Sequence, residues 1–116
     1  MTIAMSDSMT RIWNTLLAVP VGKVVSYGQL ADLAGLPRGH RQAARALRLA
    51  PEALQLPWHR VISANGKIAL EKDSDGYRQQ MELLRADGVE VINGRINMTR
   101  FRWQPDLAEL LFTLKH

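Results

Sequence analysis

The segment Leu56-Pro57-Trp58-His59-Arg60-Val61-Ile62 sets an indole, an imidazole and a guanidinium side by side. An imidazole can take or give a proton near neutral pH. A guanidinium fork matches phosphate or carboxylate, and an indole offers a flat face for stacking. On these residues alone two readings stand. A tryptophan before a strand commonly fills a core, and a single histidine is commonly a buried, hydrogen-bonded group. No carboxylate pair or metal-type cluster accompanies His59 in the sequence. The chain contains no cysteine. That excludes a thiolate nucleophile, a disulfide and a zinc–thiolate site.

A second group of reactive side chains is cationic. Arg38, Arg41, Arg45 and Arg48 follow one another at spacings of three, four and three. At about 3.6 residues per turn such residues share one helix face. Ala43, Ala44, Ala46, Leu47 and Ala50 fall on the opposite side. The spacing predicts a helix from Pro37 to about Ala50 with an apolar back and a guanidinium front. A solvated arginine face is the plain alternative, but small residues such as Gly39 and the alanines let a backbone approach a nucleic-acid groove.

The elements that must position these groups are short. Ser6, Asp7 or Ser8 can cap a first helix reaching about Val19, with Met9, Ile12, Trp13, Leu16 and Leu17 on its inner face. Ser26 with Gln29 three residues later forms a capping box, and Gly35 ends the helix it starts. Two helices joined by a tight glycine turn predict helix-turn-helix. Asn65-Gly66 and Asn93-Gly94, each between strand-like residues, predict two-residue hairpin turns and a wing. Residues 71–76 read as a loop. Tyr77, Met81 and Leu84 mark a helix ending at Gly88. Leu107, Leu110, Leu111 and Leu114 outline a last amphipathic helix, with Asp106 and Glu109 at its start. The expected fold is mainly α with small β-hairpins, a winged helix-turn-helix-like single domain. Its expected parts are a loose N-terminus (1–8), the domain proper (9–103) and a C-terminal helical extension (104–116).

The bulk properties agree with a DNA-binding domain. The chain has 116 residues, 15 Lys and Arg against 11 Asp and Glu, and a formal charge of +4. A basic domain of this size suggests an anionic partner. No apolar run approaches the roughly 20 residues of a membrane span, and the first residues lack a secretory pattern. A cytoplasmic monomer without cofactor or metal is expected.

Three stretches carry a family resemblance. They are Pro20-Val21-Gly22-Lys23-Val24-Val25-Ser26-Tyr27-Gly28-Gln29-Leu30-Ala31, then Leu36-Pro37 with Arg41, then Pro57-Trp58-His59-Arg60-Val61-Ile62. In order and spacing they resemble the DNA-binding domain of O6-alkylguanine-DNA alkyltransferases. In those enzymes the third stretch reads Pro-Cys-His-Arg, and its cysteine accepts the alkyl group. Here Trp58 stands at that position, and the Pro-Trp-His-Arg variant resembles the alkyltransferase-like proteins, which bind alkylated DNA without repairing it. The resemblance implies minor-groove binding with base flipping. It implies that Arg41 fills the gap left in the base stack and that Tyr27 presses on the neighbouring phosphate. Arg38, Arg45 and Arg48 would hold other phosphates. Trp58, Arg60 and Lys72 would join Tyr27 around the flipped base. His59 and Asp87 would be a structural remnant of the enzymes' catalytic relay. The loop position that faces the base in relatives aligns with Glu71, beside Lys72. Nucleotide excision repair proteins are the implied partners. Two other readings remain at this point: a winged-helix transcription regulator, and an enzyme that removes the alkyl group through water activated by His59.

Overall fold

The computed structural model describes residues 7–113. They divide into two units, each treated by itself: residues 7–18, 27–58 and 104–113 in one, Val19–Ser26 and His59–Trp103 in the other.

In the first unit, helix α1 (Asp7–Ala18), helix α2 (Tyr27–Leu33) and helix α3 (His40–Arg48) pack on one another. Ile12, Trp13 and Leu16 of α1 are buried, as their spacing requires, and so are Leu30, Ala31, Ala34, Ala43 and Ala46. The Trp13 indole N–H donates to the Ala46 carbonyl at 2.8 Å, which ties α1 to the back of α3. Leu17, expected on the inner face, is half exposed. α2 starts directly after Ser26 and closes at Gly35. Leu36 N–H bonds Ala31 O and Gly35 N–H bonds Asp32 O, the double closure in which a left-handed residue ends a helix. Gly35 has φ +83°, and a Cβ there would overlap the Arg11 guanidinium, so glycine is required twice over.

The arginine helix is shorter than its sequence pattern. α3 starts at His40, and Pro37 does not open it. Gly39 N–H instead bonds Leu36 O at 2.9 Å, closing a turn over Pro37 and Arg38. Arg38 has φ +63°, a conformation that costs a non-glycine residue about 1–2 kcal/mol. Arg38 therefore precedes the helix, and the helical stripe is Arg41, Arg45 and Arg48.

The last helix, α6 (Leu107–Thr113), begins where its sequence pattern places it, and Asp106 Oδ1 caps it by accepting from Glu109 N–H at 2.8 Å. Its leucines do not form a core face. Leu107 and Leu111 are largely exposed, and so is Phe112. Leu114 lies outside the described residues.

The second unit holds the sheet, which is parallel: β1 (Val25–Ser26) pairs with β2 (Val61–Ile62), with Val25 opposite Val61. Both predicted turns form, and they differ. At Asn93-Gly94 both residues have positive φ, and Ile92 and Arg95 exchange two backbone hydrogen bonds, giving the expected two-residue hairpin. At Asn65-Gly66 only Gly66 has positive φ, and the loop closes one residue wider, from Ser63 to Lys67. The two turns then pair with each other through the Lys67–Arg95 bridge. Helix α4 (Asp75–Ala86), capped by Ser74, and the short helix α5 (Met98–Phe101) complete the unit. Val24, Ile62, Ile68, Tyr77, Leu84, Val89, Val91, Ile96 and Phe101 form its core.

Candidate nucleic-acid interface

In the first unit α3 presents Arg41, Arg45 and Arg48 as exposed side chains above buried Ala43 and Ala46. Arg38, also exposed, stands in the turn before them. Among the described residues none of the four pairs with a carboxylate. Four unneutralised guanidiniums on one short stretch repel each other, and a polyanion relieves that repulsion. Tyr27, the first residue of α2, is half-buried, and burial pushes its hydroxyl above the ordinary range. At neutral pH it is an uncharged donor. Trp58 ends this unit at a tight turn (Trp58–Arg60) and is partly exposed.

The second unit organises the residues that follow Trp58. Arg60 Nε donates to Asp87 Oδ2 at 2.8 Å, and Arg60 Nη2 reaches Oδ1 at 3.4 Å. Arg60 Nη1 donates to the Val19 carbonyl at 2.9 Å. His59 Nε2 lies 2.9 Å from Asp87 Oδ2. One carboxylate thus collects an imidazole and a guanidinium. Burial pushes the Asp87 carboxyl up, but hydrogen bonds from Arg60 and His59, reinforced by the Arg60 charge, outweigh it and hold the pKa below the usual range.

The end of α4 sets that carboxylate in place. Asp87 is its C-cap. Gly88, at φ +87°, follows, with Gly88 N–H bonded to Arg85 O and Val89 N–H to Leu84 O. A carboxylate at a helix C-terminus opposes the helix dipole. Arg60 supplies the compensating charge.

Sequence reasoning placed His59 and Asp87 as partners, and they meet. It did not find Gln80. This side chain is 2% exposed, and its Nε2 donates to both His59 O and Val61 O at 3.0 Å. It holds the backbone on either side of Arg60. The signal was a glutamine three residues after Tyr77 and four before Leu84, on the apolar face of α4. Lys72 and Glu71 are exposed loop residues before α4. Among the described residues no group of His, Cys, Asp and Glu could hold a metal, and no helix is long and apolar enough to cross a membrane.

A helix-turn-helix carrying a bare arginine face, followed in sequence by a Trp-His-Arg turn anchored on a helix-capping aspartate, defines a class of DNA-binding domain. Residues 7–89 match the DNA-binding domain of 6-O-methylguanine DNA methyltransferase. The chain belongs to that family. It is 45% identical over 94 residues to the DNA base-flipping protein of Escherichia coli (strain K12), covering 80% of this chain and 71% of that one. It is 30% identical over 106 residues to Alkyltransferase-like protein 1 of Schizosaccharomyces pombe, covering 87% of this chain and 98% of that one. The structure resembles S. pombe Atl1 in complex with damaged DNA containing O6-carboxymethylguanine, with a TM-score of 0.78 and 30% identity over 89% of this chain and all of that one.

Proposed function

We propose that this protein binds duplex DNA carrying an O6-alkylguanine from the minor groove, rotates the damaged nucleotide out of the stack, and holds it unaltered. The observation that carries the reading is a family segment without its acceptor: Pro57, His59 and Arg60 surround Trp58, and the chain has no cysteine. An indole is no alkyl acceptor at neutral pH, because this chemistry needs a thiolate. The relatives' names support the same reading, one being a base-flipping protein and another having been crystallised on O6-carboxymethylguanine DNA.

In this reading Arg41 enters the stack, Tyr27 donates to the adjacent phosphate, and Trp58 is the wall for the flipped base. Arg38, Arg45 and Arg48 hold phosphates. Lys72 reaches the base from its loop, while Arg60, through Asp87, fixes the backbone that carries the pocket. Flipping costs a few kcal/mol. Stacking on an aromatic returns about 1–3 kcal/mol, and the inserted arginine and phosphate contacts supply the remainder. The minor groove carries a degenerate base code, which suits a sensor indifferent to sequence. The protein acts as a cytoplasmic monomer and marks the lesion for nucleotide excision repair.

The test is a titration of two duplexes differing by one O6-methylguanine, with base analysis afterwards. Tighter binding to the lesion duplex with the methyl group retained is the expected result. Equal binding would turn the protein into a general or sequence-specific DNA binder, and loss of the methyl group would make it an enzyme.

A further inference from the structure

The paired turns of the second unit leave one row of side chains that the family segment does not use. Arg95 is bridged to Ile92 on one side and to Lys67 on the other. Residues directly opposite across a bridge project to the same face, with Cβ atoms roughly 5 Å apart. Their sequence neighbours Val91, Ile96 and Ile68 are 4%, 4% and 7% exposed, so that face is core. The pleat therefore turns Ile92, Arg95 and Lys67 outward together. All three are exposed, Ile92 to 60%.

Two like charges directly opposite each other destabilise a strand pair. Among the described residues no carboxylate offsets either one. The platform beneath them is fixed. Ile96 N–H bonds Gly66 O at 2.8 Å and Ile68 N–H bonds Gly94 O at 3.0 Å. Gly66 lies so close to the Ile96 carbonyl that an added Cβ would meet it at 2.5 Å, so the two turns pack backbone against backbone.

We propose that Lys67 and Arg95 form a second contact for the DNA phosphate backbone, with Ile92 against the sugar edge. A nucleic-acid strand presents one negative charge per about 3.4 Å of axis. That regular spacing engages two cations held side by side, where a single small anion needs only one. The inference rests on the DNA-binding reading above. It adds affinity without lesion preference, because phosphates are the same on damaged and undamaged DNA.

The experiment compares the wild type, the K67A/R95A double variant and the charge-retaining K67R/R95K on duplexes with and without O6-methylguanine, over a salt series. Thermal melting of each variant checks folding. The expected result for K67A/R95A is a plot of log affinity against log salt shallower by about 1.8 on both duplexes, roughly 0.9 per contact, with the lesion preference unchanged. K67R/R95K keeps the wild-type slope. An unchanged slope in folded K67A/R95A would overturn the proposal. If the wild type binds both duplexes equally, the lesion reading fails while the slope comparison still decides this contact. If the wild type binds neither, both readings fall.

Discussion

Arg60 Nε donates to Asp87 Oδ2 at 2.8 Å, and each side chain is only 13% exposed. The pair fastens the turn after Trp58 to the end of α4, and His59 shares the same oxygen. Asp87 therefore titrates below its unfolded value. Its contribution to stability is present above the ordinary carboxylate pKa of about 3.9 and is lost as pH falls through the lower folded value. Asp87→Asn should lower stability at neutral pH by roughly 1.5–3 kcal/mol, as expected for losing charge-assisted hydrogen bonds in a part-buried pair. Urea unfolding at several pH values checks it. The gap between wild type and variant should close as the pH falls below that of an ordinary carboxylate, and a gap independent of pH would show that the charge of Asp87 contributes nothing.

Gln80 makes a neighbouring prediction that is independent of charge. Gln80→Leu leaves the His59 and Val61 carbonyls without their side-chain donor. Each lost hydrogen bond costs about 0.5–1.5 kcal/mol. The variant should melt at lower temperature at every pH, while a purely surface role would leave the melting temperature within error.

Arg41 and Trp58 are expected to act on different quantities. If Arg41 fills the vacated stack as proposed, Arg41→Ala should weaken binding of lesion DNA strongly. Trp58→Ala should remove about 1–3 kcal/mol of stacking, lowering lesion preference more than binding to undamaged duplex. Fluorescence titration with matched duplexes separates them. Equal loss on both duplexes for Trp58→Ala would reduce Trp58 to a packing residue.

Trp58→Cys introduces a thiol at the position proposed to correspond to the enzymes' acceptor. No efficient alkyl transfer is expected, because the Asp87 carboxylate that faces His59 is already engaged by Arg60. Intact-protein mass spectrometry after incubation with O6-methylguanine DNA reads the result directly. A full methyl gain would show that only the thiol separates this chain from the enzymes.

Much of this protein is set by local rules that a sequence displays. Helix phase puts Ile12, Trp13 and Leu16 on one side of α1 and Arg41, Arg45 and Arg48 on the polar side of α3, because periodicity sets which face of an amphipathic helix is apolar. The glycines that end α2 and α4, and the Asn93-Gly94 hairpin, follow from the need for positive φ. The lack of a thiol is absolute, since no fold can supply one to a chain without cysteine.

What tertiary structure alone decided is pairing over long separations. Nothing local says that Val25 lies beside Val61 in parallel, that the two turns join through Lys67 and Arg95, or that Arg60 turns back to Asp87 and Val19. Those contacts depend on which loops close on which. The same holds for two of the expectations that changed. The backbone turn at Leu36–Gly39 takes Arg38 out of the helix although its spacing fits. The leucines of α6 have the period of a buried face, yet Leu107 and Leu111 stay exposed. Periodicity states which side of a helix is apolar, but only the packed neighbours determine whether anything covers it.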